Sequence, residues 1–193
     1  MKKVLLSGLF AVALAFGSYA QRIETVPQTS ENVGMAPIQQ GNWMVGGSVG
    51  SLGYSFEGKN FNIQVNPRAG YFISDGIAIG AQAALGLDAI SGEDNVWNYG
   101  IAPFVRYYFP EGSSSTGRFF GHGNVGIGGS SRGDGASFEA GIAGGYAHFI
   151  TRNVALETTL GYNYSKANLN SSGGASGLGV SVGFQIYLPG RAR

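Results

Sequence analysis

From Asn42 onward, apolar and polar positions alternate with a period of two. This is the signature of a half-buried β-strand rather than of a helix. Between residues 60 and 73, Phe61, Ile63, Val65, Ala69, Tyr71 and Ile73 share one face, and Asn60, Asn62, Gln64, Asn66, Arg68 and Gly70 share the other. The same alternation runs over residues 42–56, 77–88, 97–109, 119–127, 138–146, 154–164 and 178–188. The pattern predicts eight strands joined by short connections, an antiparallel up-and-down meander. The first strand changes parity between Val49 and Leu52, which predicts a bulge near Gly50 and Ser51. Ser74, Asp75 and Gly76 form a turn signal.

Alternation alone fits two architectures. In a soluble sandwich or barrel the apolar face points inward. In an outer-membrane barrel it meets lipid, and the polar face lines the lumen. Three features favour the second. The polar face is built from Gly, Ala, Asn and Ser, and beyond Lys2 and Lys3 the only lysines are Lys59 and Lys166, both at expected loop edges. The apolar face is also graded by height. With both termini on the periplasmic side, Trp43, Tyr71, Tyr107, Phe109 and Tyr146 fall near one rim. Tyr54, Trp97, Tyr99, Tyr162 and Tyr164 fall near the other, and Val45, Ile63, Val65, Ile101, Val105, Val125, Ile127 and Ile142 lie between. Two aromatic girdles around an aliphatic band of about 25 Å are what a bilayer selects. Finally, closure removes strand edges that an exported chain would otherwise expose.

Composition agrees with this reading. The chain has 193 residues, with 34 glycines, no cysteine, 12% charged residues and a net charge of +1. A soluble domain carries about twice that share of charge. The glycine content argues against a helical bundle. The missing cysteine excludes a disulfide framework and thiolate metal chemistry, and no basic stripe exists to bind nucleic acid.

The ends differ from the body. Lys2 and Lys3, the apolar run from Val4 to Phe16 and the Ser18-Tyr19-Ala20 site predict a signal peptide over residues 1–20. Residues 21–40 are rich in Gln, Thr, Ser, Asn and Pro and read as a flexible periplasmic leader. The barrel is expected over residues 41–188, with a C-terminal extension at 189–193.

Val65-Asn66-Pro67-Arg68-Ala69-Gly70-Tyr71-Phe72 and the following turn resemble the second hairpin of small porin-family outer-membrane β-barrel proteins, a group similar to OmpX and the OmpA barrel. Ala102-Pro103-Phe104-Val105-Arg106-Tyr107-Tyr108-Phe109 resembles their fourth strand. The resemblance spans residues 41–188. Ser181, Gly183, Ile186 and Leu188 look like the signal read by the barrel-insertion machinery, although Pro189 to Arg193 extend past it. The resemblance implies an architecture rather than a defined activity. Pro67 and Pro103 are each expected to cost a bulge or a lost ladder bond.

An eight-stranded barrel leaves an interior that side chains can fill. Lumen parity carries Arg68, Arg106, His122, Glu139 and Glu157. Buried charges should pair, and Arg106 with Glu157 is the best-matched pair by height. This network is read as a structural plug, with no catalytic, cofactor-binding or metal site. The alternative reading as a lipid-modifying enzyme finds no serine and carboxylate near His122 or His148 on their own faces. The expected partners are outer-membrane lipid, lipopolysaccharide and the assembly machinery. The expected role is structural or membrane-organising, with at most weak passage of small solutes. A binding module acting through the leader or the outer loops is the alternative.

Overall fold

A computed structural model describes residues 30–55, 60–90, 92, 94–109, 114–133, 135–166 and 174–190, the side chains of 51–55, 60 and 90 excepted. The expected signal peptide, the leader up to residue 29, Phe56, Lys59, the last three residues of the C-terminal extension and the side chain of Tyr54 lie outside these. Eight strands form one closed barrel in chain order. They are β1 Trp43–Ser55, β2 Asn60–Ser74, β3 Ile77–Ile90, β4 Val96–Tyr108, β5 Gly117–Ser130, β6 Ser137–Thr151, β7 Val154–Lys166 and β8 Ala175–Leu188. Every pairing is antiparallel, and β1 closes on β8 from Trp43–Leu188 to Val49–Val182.

The parity change in β1 is a register shift between Val49 and Ser51, as expected from the sequence. Two further shifts, Phe72/Ser74 and Phe149/Thr151, adjoin the tight turns into β3 and β7. Gly76 lies in the first of these turns with φ of 74°, a conformation that disfavours a side chain. The prolines produce no bulge. Pro67 pairs with Gly47 but opens the β2–β3 ladder between Val65–Leu85 and Arg68–Gln82. Pro103 pairs with Ala81 but opens the β4–β5 ladder between Ile101–Ile127 and Phe104–Asn124. Register is kept across both gaps, so each proline costs local pairing without shifting the strand.

Sequence parity sorts the side chains. Ile142, Leu160 and Leu178 are 69%, 59% and 77% exposed on the exterior. Phe72, Tyr108 and Phe149 are fully buried in the interior. Trp43, Tyr71, Tyr107, Phe109 and Phe119 stand exposed on the exterior near the end that carries both termini. There Trp43 packs on Tyr71 at 5.1 Å, Tyr107 on Phe109 at 5.2 Å and Phe119 on Tyr146 at 4.9 Å between ring centroids. Trp97, Tyr99, Tyr162 and Tyr164 stand exposed toward the other end. A contiguous apolar exterior of this extent has no place in water, whereas lipid removes the cost.

Residues 30–40 are not the loose leader that their polar composition predicts. A 3₁₀ turn, Ala36–Ile38, tucks under the barrel with Ile38 fully buried. Backbone bonds tie the segment to the barrel's end: Glu31 N to Phe149 O at 2.9 Å, Val33 N to Ser115 O at 3.1 Å and Gly76 N to Ile38 O at 2.8 Å. The exception to composition is local. Val33, Met35 and Ile38 are the apolar residues of a polar stretch, and they join the interior cluster.

Ile142→Arg tests the orientation of the faces. Near mid-height on a lipid-facing surface it should destabilise the folded barrel by about 2–4 kcal/mol, read as a shift of the urea midpoint in lipid vesicles. A neutral result would mean that this face meets water.

Candidate functional site

Inward positions fall into three tiers. Nearest the termini lies an apolar plug of Met44, Phe72, Ala78, Tyr108, Phe120, Phe149, Ala155 and Tyr187, closed from below by Val33 and Ile38. Its rings touch one another: Phe72 to Tyr108 at 5.8 Å, Tyr108 to Phe120 at 5.6 Å and Phe149 to Tyr187 at 5.3 Å. Glycines make the room. A Cβ on Gly70 would come within 3.0 Å of Phe104 Cζ, and one on Gly80 within 2.8 Å.

Above the plug sits an ionic layer. Arg106 Nη1 donates to Glu157 Oε1 at 2.7 Å and to the Tyr108 hydroxyl at 3.1 Å. Its guanidinium lies over the Phe120 ring, 4.2 Å from the centroid, a cation–π contact in a dry setting. Tyr108 and Tyr187 share a hydroxyl–hydroxyl bond of 2.8 Å, which links the layer to the plug. Arg68 approaches Glu157 at 3.7 Å and donates to Ser48 Oγ at 2.8 Å. Arg106 Nε lies 3.4 Å from His122 Nδ1, and His122 Nε2 lies 3.1 Å from Gln82 Oε1. This geometry fits the tautomer with hydrogen on Nε2. Arg68, Arg106, His122 and Glu157 thus form one cluster.

Glu139 stands apart. It lines the space above the cluster, together with Gln64, Ala84 and Ser165. That space comprises two adjoining cavities of about 370 Å³ and 470 Å³. The lower one has Arg68, Arg106 and His122 in its lining, and the upper one reaches Gly133 and Gly135 of the β5–β6 loop. The interior is therefore not a polar filling throughout. It is apolar and packed at the end nearest residues 30–40, ionic in the middle and hollow beyond.

Phe72, Tyr108, Phe120 and Tyr187 share the parity of the lumen residues Arg68, Arg106 and His122 or of their strand's inward face. All of them lie within a few residues of the strand ends at one rim, which concentrates the rings in one layer. Phe149 was missed because β6 runs past Tyr146 to Thr151. Arg118 was also missed. It is buried, and its Nη2 holds Gly34 O at 2.8 Å, anchoring the segment under the barrel. Of the expected insertion signal, Ser181 lines the lower cavity, Gly183 faces Ser48 across the seam, and Ile186 and Leu188 pair with Val45 and Trp43. His148 stacks near Tyr146 at 6.5 Å.

Solved structures share this architecture. Neisserial surface protein A superposes with a TM-score of 0.53 at 16% identity, covering 75% of this chain and 94% of its own. The fold is that of a small outer-membrane barrel. The outer membrane protein OprG from Pseudomonas aeruginosa matches with a TM-score of 0.51 at 12% identity, covering 82% of this chain and 100% of its own. The N-terminal β-barrel domain of Pseudomonas aeruginosa OprF matches with a TM-score of 0.50 at 13% identity, covering 77% and 98%. No known protein family matches the sequence, and no curated protein does. At such identities the likeness is one of fold.

Three substitutions probe the interior. Glu157→Gln leaves two guanidinium groups without their carboxylate and should cost about 3–5 kcal/mol in urea unfolding. Arg68→Met keeps the 2.7 Å pair and should cost clearly less. Gln185 is fully buried in β8 with neither amide atom hydrogen-bonded. Gln185→Leu should therefore stabilise the barrel by about 1 kcal/mol.

Proposed function

We propose that the chain is an integral outer-membrane barrel, sealed at its periplasmic end, whose role is structural or membrane-organising rather than that of an open pore. The observation that carries this reading is the plug. Phe72, Tyr108, Phe120, Phe149 and Tyr187 fill the interior at that end, and Ile38 closes it from below. An ion crossing it would have to leave water for a packed, largely apolar layer, which is costly. The exterior supports the membrane assignment, because its exposed leucines, isoleucines and aromatics suit acyl chains and headgroups.

In this reading the chain is exported by a cleaved signal peptide over residues 1–20 and inserted by the barrel-assembly machinery through Ser181, Gly183, Ile186 and Leu188. Lipid and lipopolysaccharide are then its immediate partners. The function is non-enzymatic. His122, the lumen histidine, has Arg106 on one ring nitrogen and Gln82 on the other. A general base oriented by a carboxylate would need a different neighbourhood.

Planar-bilayer recording on the purified full-length protein tests the seal. No steady openings of general-porin size are expected. Steady conductance that persists across preparations would contradict the reading.

A further inference from the structure

The ionic layer carries more positive charge than it neutralises. Two guanidinium groups, Arg68 and Arg106, share one carboxylate, Glu157. Arg68 is 9% exposed and Arg106 1%, yet Nε of the first and Nη2 of the second have no hydrogen-bond partner. Buried guanidinium nitrogens without acceptors are costly. Both arginines line the lower cavity. The floor of the hollow is therefore net cationic, with one unsatisfied guanidinium nitrogen of each arginine buried just beneath its surface.

The walls above have a different chemistry. Asn66, Gln82, Asn124 and Asn163 line the lower cavity, and Asn62, Asn98 and the Asp88 carboxylate, which accepts from Asn98 Nδ2 at 2.9 Å, line the upper one. Carboxamides donate and accept, which matches hydroxyl groups better than it matches bare ions or apolar groups. A combined hollow of this size accommodates a molecule of sugar dimensions, and the plug leaves the outer end as its approach.

We propose that the outer half of the barrel is a binding cup for a small hydroxylated carboxylate, of the sugar-acid class, entering from outside the cell. Its carboxylate seats on Arg68, with Arg106 beneath, in the bidentate fashion that guanidinium groups favour. Its hydroxyl groups bond the carboxamide walls, and Glu139 at the level where the cavities join accepts from a hydroxyl. Arg68 is the adaptable member of the pair, because its contact with Glu157 is 3.7 Å whereas that of Arg106 is 2.7 Å. The cup goes beyond a structural role: it makes the barrel a receptor for a solute that it does not pass on.

The test is a nuclear magnetic resonance titration of the full-length protein in micelles, following the arginine Nε–H signals. The probe is gluconate, with glucitol, acetate and glycine as comparisons. Gluconate should shift the Arg68 Nε–H signal saturably. Glucitol lacks the charge and acetate lacks the hydroxyls, so each should bind at least about 10-fold more weakly. Arg68→Gln should weaken gluconate by about 10-fold or more. Asn124→Leu, which leaves the ion pairs untouched, should do the same by filling the cup. Heat-modifiable migration on a gel checks that both variants are folded.

No saturable shift with gluconate in the native protein would overturn the proposal. So would equal binding of acetate, which would indicate a simple anion site. Tighter binding of glycine, with its ammonium on Glu139, would overturn the ligand class. Retained gluconate affinity in folded Asn124→Leu would show that the ligand does not occupy the cup and would overturn the proposal.

Discussion

Hydrocarbon offers no hydrogen bonds, so a chain that crosses it in strands must satisfy its backbone groups by pairing around a closed ring. The rest of this structure depends on that constraint. Closure of β1 on β8 turns an open meander into a ring. Once the ring is closed, alternate side chains have no choice but to face lipid or lumen. Among the described residues the largest departure from full pairing is the seam itself, where the β1–β8 ladder ends at Val49–Val182 and Ser51–Ser55 pair with β2 alone; the others are local. Pro67 and Pro103 lack the N–H that the ladder requires and open it on one side only. The bulge at Val49/Ser51 comes where the β1–β8 ladder ends.

Eight strands also fix the diameter, and the diameter forces the interior to be specific. Glycines make room for some of the inward rings. Gly70 and Gly80 accept the edge of Phe104, and a side chain at either position would collide with it. At these two positions glycine is a packing requirement rather than a sign of looseness. One step higher, Arg106 can be buried because Glu157, Tyr108 and the face of Phe120 surround its guanidinium. The aromatic plug and the ion pair are coupled through the Tyr108 and Tyr187 hydroxyls, so the seal and the charge layer stand or fall together.

Much of this was legible in the chain. Period-two alternation marked every strand, and the parity change in β1 marked its bulge. The heights of Arg106 and Glu157 above their turns placed them at one level, and they lie 2.7 Å apart. The reading was weakest where local composition and tertiary context disagree. Residues 30–40 look like a solvated leader because Gln, Asn and Pro dominate them. Their order comes from Val33, Ile38 and bonds to Phe149, Ser115 and Gly76, partners distant in sequence. The hollow outer half was also hidden. Parity shows which side chains point inward, but not whether Asn and Ser there meet across the lumen or stand apart.

In the proposed account, one interior is sealed at the end nearest residues 30–40 and approached from the opposite end, within an exterior that meets lipid. Because the chain has no cysteine, single introduced thiols report on each region without background. Asn124→Cys, Ala155→Cys and Ile142→Cys would be probed in cells and in periplasm-exposed membranes with a membrane-impermeant maleimide. The account predicts that Asn124→Cys reacts from outside only, and that Ala155→Cys in the plug and Ile142→Cys in the lipid face react from neither side. Reaction of Asn124→Cys from both sides, or of Ile142→Cys in intact membranes, would contradict it.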